Sequence, residues 1–191
     1  MSETFIYVTP IEGITEKQLA AASERLPQWR GNYISGKTLS GKTEGAFSYL
    51  LLQKLVSERF GMTDTAPFTY GKFGKPYFSD IDVFFSISHC KTAVAAAASR
   101  AEVGVDVMDN LSINENIAPR ICSERELAKF NSAKDKQRFL RELWCKKESL
   151  VKKSGTGFSK GFTSADTEDF PFYLFAAEKY TVSSASGTDD T

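Results

Sequence analysis

The stretch Leu143–Lys153, LWCKKESLVKK, constrains this chain more than any other. It closes a run from Asp135 onward that contains no Gly or Pro before Gly155. Phe139, Leu140, Leu143, Trp144, Leu150 and Val151 follow the i, i+3, i+4, i+7 recurrence of a helix with one buried face. Two residues disturb a plain amphipathic pattern. Lys147 falls near the middle of the apolar arc and Glu148 at its margin, with Lys152 one turn further on. A lysine aimed at a core needs an anionic partner, because burying a lone ammonium costs several kcal/mol. Glu148 and Lys152 are four apart and share a face. On a solvated helix such a pair is a surface ion pair worth about 0.3–0.5 kcal/mol.

At 191 residues the chain can bury a core as one domain or as two small halves. Lys plus Arg and Asp plus Glu balance at 24 each, so overall charge points to neither nucleic acid nor membrane. The charge is unevenly spread. Residues 129–160 are strongly basic, whereas 161–191 are acidic with Lys179 as the one base. That asymmetry suits an anionic ligand or an acidic partner surface, or else a solvated helix face. Cys90, Cys122 and Cys145 have no ligand-like spacing and read as free thiols of a reducing compartment. The start MSETFIYV lacks a basic n-region, and no stretch approaches the ~18 apolar residues of a membrane span, so a soluble, cytoplasmic protein is expected. His89 is the single histidine, which excludes multi-histidine zinc sites.

Along the chain, Phe5–Val8 reads as strand, and Thr15–Gln18 has capping-box form for a helix ending before Pro27. Residues 29–42 are rich in Gly, Ser and base and read as loop. Ser40 is the expected cap of a helix through Arg59, with Phe47, Leu50, Leu51, Leu55 and Val56 on its buried side and Gly61 ending it. Tyr70–Phe78 is aromatic strand broken by a Gly-Lys-Pro turn. Val83–His89 alternates as a strand should, and Thr92–Ser99 suits a strand better than a tightly packed helix. Val103–Val107 alternates again, with Gly104, Asp106 and Met108 on one face. Two capping boxes follow, Ser112–Glu115 and Ser123–Glu126, before the long helix from about Lys134 to Lys153. Phe170–Phe175 and Tyr180–Ser184 are short β-prone pieces, and the tail 183–191 is expected to be disordered. The order of elements is α+β.

Asp106 lies near the end of a strand, on its polar side, where a lone carboxylate is unremarkable. Brought beside Glu148 it becomes a magnesium site, since Mg²⁺ takes one or two carboxylates and completes its octahedron with water and substrate phosphates. Lys152 would then contact a phosphate oxygen as a point charge. His89, after Ser88 at a strand end, is either a structural histidine or a phosphate donor. Gly74-Lys75-Pro76 is by itself a surface turn that offers a cation.

Four segments occur in order: Gly74-Lys-Pro76, Phe85-Ser-Ile-Ser-His89, Gly104-Val-Asp-Val107 and Trp144-Cys-Lys-Lys-Glu-Ser-Leu-Val-Lys152. Together they resemble the Sfp-type phosphopantetheinyl transferases, whose pattern is roughly GKP, F-N-x-S-H, G-[IV]-D-[IV]-E and W-x-x-K-E-[SA]-x-x-K. The flanks Ala118–Glu126 and Gly155–Ser159 are similar to that family as well, so the resemblance spans about residues 70–160. It implies transfer of the phosphopantetheine arm of coenzyme A to a serine of an acyl, polyketide or peptidyl carrier protein, releasing adenosine 3′,5′-bisphosphate. It also implies a Mg²⁺ cofactor on Asp106 and Glu148, with Glu148 as general base and Lys152 stabilising the pyrophosphate and leaving group. Ser88 and His89 would meet the coenzyme A phosphates, Lys75 the nucleotide end. Arg30, Lys37 and Lys42 are the candidates for the ribose 3′-phosphate.

The fold implied is two pseudo-symmetric α+β halves, residues 1–108 and 109–191, with coenzyme A in the cleft between them and a monomer building the whole site. Two positions depart from the family pattern. Met108 replaces the Glu of a D-x-E pair, and a thioether is a poor ligand for a hard cation. Asp109 is adjacent, but strand alternation points it to the opposite face. A two-carboxylate site is therefore expected, the alternative being a weak homologue that binds coenzyme A or a carrier without efficient transfer. Ser86 stands where Asn is common. The basic 129–160 region is a candidate surface for an acidic carrier.

Overall fold

The computed structural model describes residues 3–63, 67–79, 81–157 and 165–186. Strand β1 (Thr4–Pro10) is followed by helices α1 (Glu16–Ser23), α2 (Gln28–Ser35) and α3 (Leu39–Phe60). Then come β2 (Thr69–Tyr70), β3 (Pro76–Tyr77), β4 (Phe84–His89), β5 (Ala93–Ser99) and β6 (Val103–Asp109). Helices α4 (Ala118–Ile121), α5 (Glu124–Ser132) and α6 (Lys136–Ser154) precede β7 (Phe172–Ala176) and β8 (Tyr180–Ser186). The class is α+β with antiparallel pairing throughout: one sheet ordered β1-β5-β4, another β6-β8-β7, and the β2-β3 hairpin that carries the Gly-Lys-Pro turn.

Alternation in β5 explains how the sheets meet. Ala96 and Ala98 face the core under α3, among Tyr49, Leu52, Leu55, Val56 and Phe85. Ala93, Ala95 and Ala97 face the other way, onto Val103, Val105 and Val107 of β6. A strand buried on both faces reads as a near-continuous apolar run, as this alanine-rich one does. Each large sheet also carries a long helix, α3 against β5 and β1, α6 against β6 and β8. Where β4 approaches β6, the hydroxyls of Ser86 and Ser88 accept the Val105 and Val107 amides at 3.1 and 3.3 Å. Ser86, left without a role by its sequence, is thus a stitch between the sheets.

Several expectations are corrected. Residues 28–35 are helix rather than loop, because Trp29 packs edge-on against Tyr49 and Phe68 and Ile34 is buried. Tertiary burial outweighs the turn-like composition. Thr38, not Ser40, caps α3, accepting the Gly41 amide. The stripe α3 buries is Ala46, Tyr49, Leu52, Leu55 and Val56, turned slightly from the expected one. Asn114, not Ser112, provides the cap here, on a short 3-10 turn, and the Gln137 side chain pins Ile113 at both backbone groups. Ser183–Ser186, expected in a disordered tail, form part of β8, the buried middle strand of its sheet, while 187–191 lie outside the described residues. The Ser123–Glu126 capping box is present, as is the stop at Gly61, whose φ of 68° suits glycine. No helix among the described residues is long and apolar enough to cross a membrane.

Candidate active site

The site is built by α6 lying close on β6. A Cβ on Gly104 would stand 2.0 Å from the Ser149 carbonyl oxygen and 2.3 Å from the Lys153 amide nitrogen. Only a residue without a side chain permits that approach. Cys145, buried one turn before Glu148, donates its thiol to the Asp106 carbonyl at 3.3 Å, and burial pushes that thiol far up. The helix is therefore locked in register on the strand.

Its register is also set from behind. Lys147 is buried and lies 2.8 Å from Glu126 Oε2. Lys147 donates to the Ala165 carbonyl as well. Glu126 also accepts the amides of Ser123 and Thr167 and the Thr167 hydroxyl, at 2.7, 2.7 and 2.8 Å. The anionic partner that the apolar arc required is thus the capping-box glutamate of α5. Burial is the strongest influence on Glu126 and opposes its charge, yet these donors hold its carboxyl below the ordinary value.

With Lys147 turned inward, Glu148 and Lys152 face the β4–β6 seam. Asp106 Oδ1 accepts the Ser88 hydroxyl at 2.8 Å and lies 2.6 Å from Lys152 Nζ. Lys152 also donates to Ser88 at 2.8 Å. Lys152 is therefore ion-paired with Asp106 across the seam rather than along the helix with Glu148. Burial, and next the charge of Asp106, raise the Glu148 carboxyl, while Lys152 opposes them. Asp106, Glu148, Lys152, Ser88 and His89 all line one open cavity of about 660 Å³, whose more apolar wall includes Trp144, Met108 and Ile113.

Other candidates divide. His89 Nδ1 lies 3.1 Å from Glu44 Oε2 of α3. Burial lowers the imidazole, Glu44 raises it, and the charges of Lys152, Lys37 and Arg30 lower it further. Arg30 and Lys37 thus belong to the His89 surroundings. Arg30 is buried over the rings of Tyr33 and Tyr49, donates to the Gly45 carbonyl, and has a buried Nε with no hydrogen-bond partner. Lys37 stacks 4.5 Å from the Tyr33 ring centre. Lys42 lies half-buried in the first turn of α3. Lys75, expected at a nucleotide, pairs with Glu102 and donates to the Lys153 and Val103 carbonyls, clamping the end of α6 to β6. A smaller cavity of about 230 Å³ beside it, lined by Pro76, Phe85 and Val151, reaches Lys152 from the other side.

Sequence reasoning missed Glu44, Glu102 and Glu126 as partners of His89, Lys75 and Lys147. No periodicity links residues so far apart in the chain. Asp109 accepts from Thr92 and from the Lys91 amide, so it ties β6 to the β4–β5 turn. Among the described residues no group of three or more His, Cys, Asp or Glu is placed to hold a metal ion. The candidate donors are Asp106 and Glu148, two hard carboxylates that line the same cavity. That set fits Mg²⁺ arriving with phosphate and water, and does not fit a metal held by protein alone.

Residues 102–189 match the family model of the 4′-phosphopantetheinyl transferase superfamily. The chain is 30% identical to "4′-phosphopantetheinyl transferase Sfp" of Bacillus subtilis (strain 168) over 115 residues, 58% of this chain and 51% of that protein. It is 32% identical to "4′-phosphopantetheinyl transferase ffp" of Bacillus subtilis over 114 residues, 58% of this chain and 51% of that protein. A holo-[acyl-carrier-protein] synthase of Hydrogenovibrio crunogenus is 38% identical over 53 residues, 28% of this chain and 42% of that protein. The aligned regions span about half the length of the first two relatives.

Proposed function

We propose that this chain, whose residues 102–189 match the family model of the 4′-phosphopantetheinyl transferase superfamily, moves the phosphopantetheine arm of coenzyme A onto a carrier-protein serine. The observation that carries this reading is the shared cavity of Asp106, Glu148, Lys152, Ser88 and His89. Two carboxylates and a lysine in one cavity suit the meeting of a diphosphate and a hydroxyl. The serine Oγ attacks the phosphorus that bears the pantetheine arm and forms a new P–O bond. The phosphoanhydride bond breaks, and adenosine 3′,5′-bisphosphate leaves with its electron pair.

Glu148 takes the serine proton, directly or through a water. In the metal-free protein, burial and next the Asp106 charge raise its carboxyl. Lys152 swings from Asp106 to the diphosphate, stabilising the charge that builds on the leaving group. Ser88 stays on Asp106 and holds that carboxylate towards the cavity. Asp106 and Glu148 would hold Mg²⁺, which when bound neutralises pyrophosphate charge. Lys134, Lys136 and Arg138, about the start of α6, would give an acidic carrier a complementary surface.

Incubation of an apo carrier with the chain, coenzyme A and Mg²⁺, read by mass spectrometry, tests this. One added phosphopantetheine per carrier is the expected product. Coenzyme A affinity with no transfer to acyl, peptidyl or polyketide carriers at any Mg²⁺ level would leave a binding protein instead.

A further inference from the structure

One nitrogen of the single histidine is already committed. His89 Nδ1 faces Glu44 Oε2 at 3.1 Å, and Glu44 Oε1 accepts the Ser40 hydroxyl at 2.9 Å. The Glu44 side chain is only 18% exposed, so its carboxylate is held between α3 and the ring. The other charges acting on His89 are cationic: Arg30 from α2, Lys37 from the α2–α3 turn and Lys152 from α6. An acid within such a wall weakens the field that attracts phosphate, so a compensating role is required. Carboxylates beside histidines commonly supply one, by taking Nδ1–H and fixing tautomer and ring orientation.

We propose that Glu44 is the positioning residue of His89, holding the proton on Nδ1 and presenting Nε2 as the edge that meets the coenzyme A phosphates. Glu44 touches no substrate itself. In the free protein, burial and the cationic neighbours lower the imidazole and favour the neutral ring, while Glu44 opposes them. When a phosphate arrives, Nε2 takes a proton from solvent and donates it as a hydrogen bond. The imidazolium then lies between two anions, Glu44 and phosphate. The identity of the ligand rests on the function proposed above; the orientation of the ring does not.

Because the chain has one histidine, the ¹⁵N spectrum of the labelled full chain reports this ring alone. Without metal and near neutral pH, the wild type should show the Nδ1–H tautomer, and coenzyme A should convert it to the doubly protonated pattern. Glu44→Ala should lose the tautomer and raise KM for coenzyme A roughly tenfold, with KM for the carrier unmoved. A wild-type proton on Nε2 overturns the proposal, whether or not the variant folds. So does the same tautomer in both proteins, or a lost tautomer with an unchanged coenzyme A KM. If no carrier is modified by the wild type, the transfer reading fails, while the free-state spectra still decide what Glu44 does.

Discussion

The Lys147 ammonium and the Glu126 carboxylate lie 2.8 Å apart with 2% and 1% of their side chains exposed, and they tie α6 to α5. Removing one member leaves the other charge buried and unpaired. Glu126→Gln is expected to cost about 3–5 kcal/mol, whereas Glu126→Gln with Lys147→Met should recover a substantial part of it. Urea unfolding at neutral pH separates the two outcomes. A single substitution that costs nothing would mean that the pair opens to water.

The same pair has a pH signature. The folded-state Glu126 carboxyl sits below its ordinary 4.5, so its contribution to stability is present above that value. It is lost as pH falls through the lower folded value. An acid unfolding series should show this loss in the wild type, and Glu126→Gln should flatten it.

Gly104 is where the strand admits the helix. A methyl group there would stand 2.0 Å from the Ser149 carbonyl oxygen and 2.9 Å from Lys153 Cα, both backbone atoms. Gly104→Ala is expected to cost about 1–3 kcal/mol or more by overpacking. It should also reduce transfer sharply, since Glu148 and Lys152 ride on the displaced segment. Thermal melts with kcat measured well below the transition test this. Unaltered kcat in a folded Gly104→Ala protein would show that α6 need not sit so close.

Glu148 and Asp106 give a metal test that does not depend on turnover. Without metal, Glu148 should titrate above its ordinary 4.5 by carboxyl ¹³C NMR, chiefly because it is buried. Asp106→Asn removes a negative neighbour and should lower that value, whereas Lys152→Ala removes a positive one and should raise it. Mg²⁺ should pull it down in the wild type and less in Asp106→Asn. In assays, Glu148→Gln and Asp106→Ala should each abolish transfer, and Lys152→Ala should weaken it severely. Wild-type rates in Glu148→Gln would remove the proposed base.

Charge on the start of α6 bears on the carrier. Arg138 is paired with Glu142 at 2.6 Å, whereas Lys136 faces the uncharged Phe130 ring, so Lys136 and Lys134 are the better probes. Reversing both to Glu should raise carrier KM several-fold, more at low salt than at high, with coenzyme A KM constant. An unchanged carrier KM would place the docking surface elsewhere.

The sequence by itself determined the residues that alternation and helical periodicity fix. Asp106 on the Gly104 face, Glu148 and Lys152 one turn apart, and a buried Lys147 in need of an anion all follow from short-range geometry. The tertiary structure decided what those groups touch. Lys75, a loop cation by its sequence, became a clamp on α6 once Glu102 and two carbonyls closed around it. Residues 28–35, rich in turn formers, became helix because Trp29 and Ile34 found a core. Glu126 and Glu44 acquired their partners only when distant segments packed together. Periodicity is a property of neighbours along the chain, whereas the partner of a buried charge is whatever the completed core brings within reach.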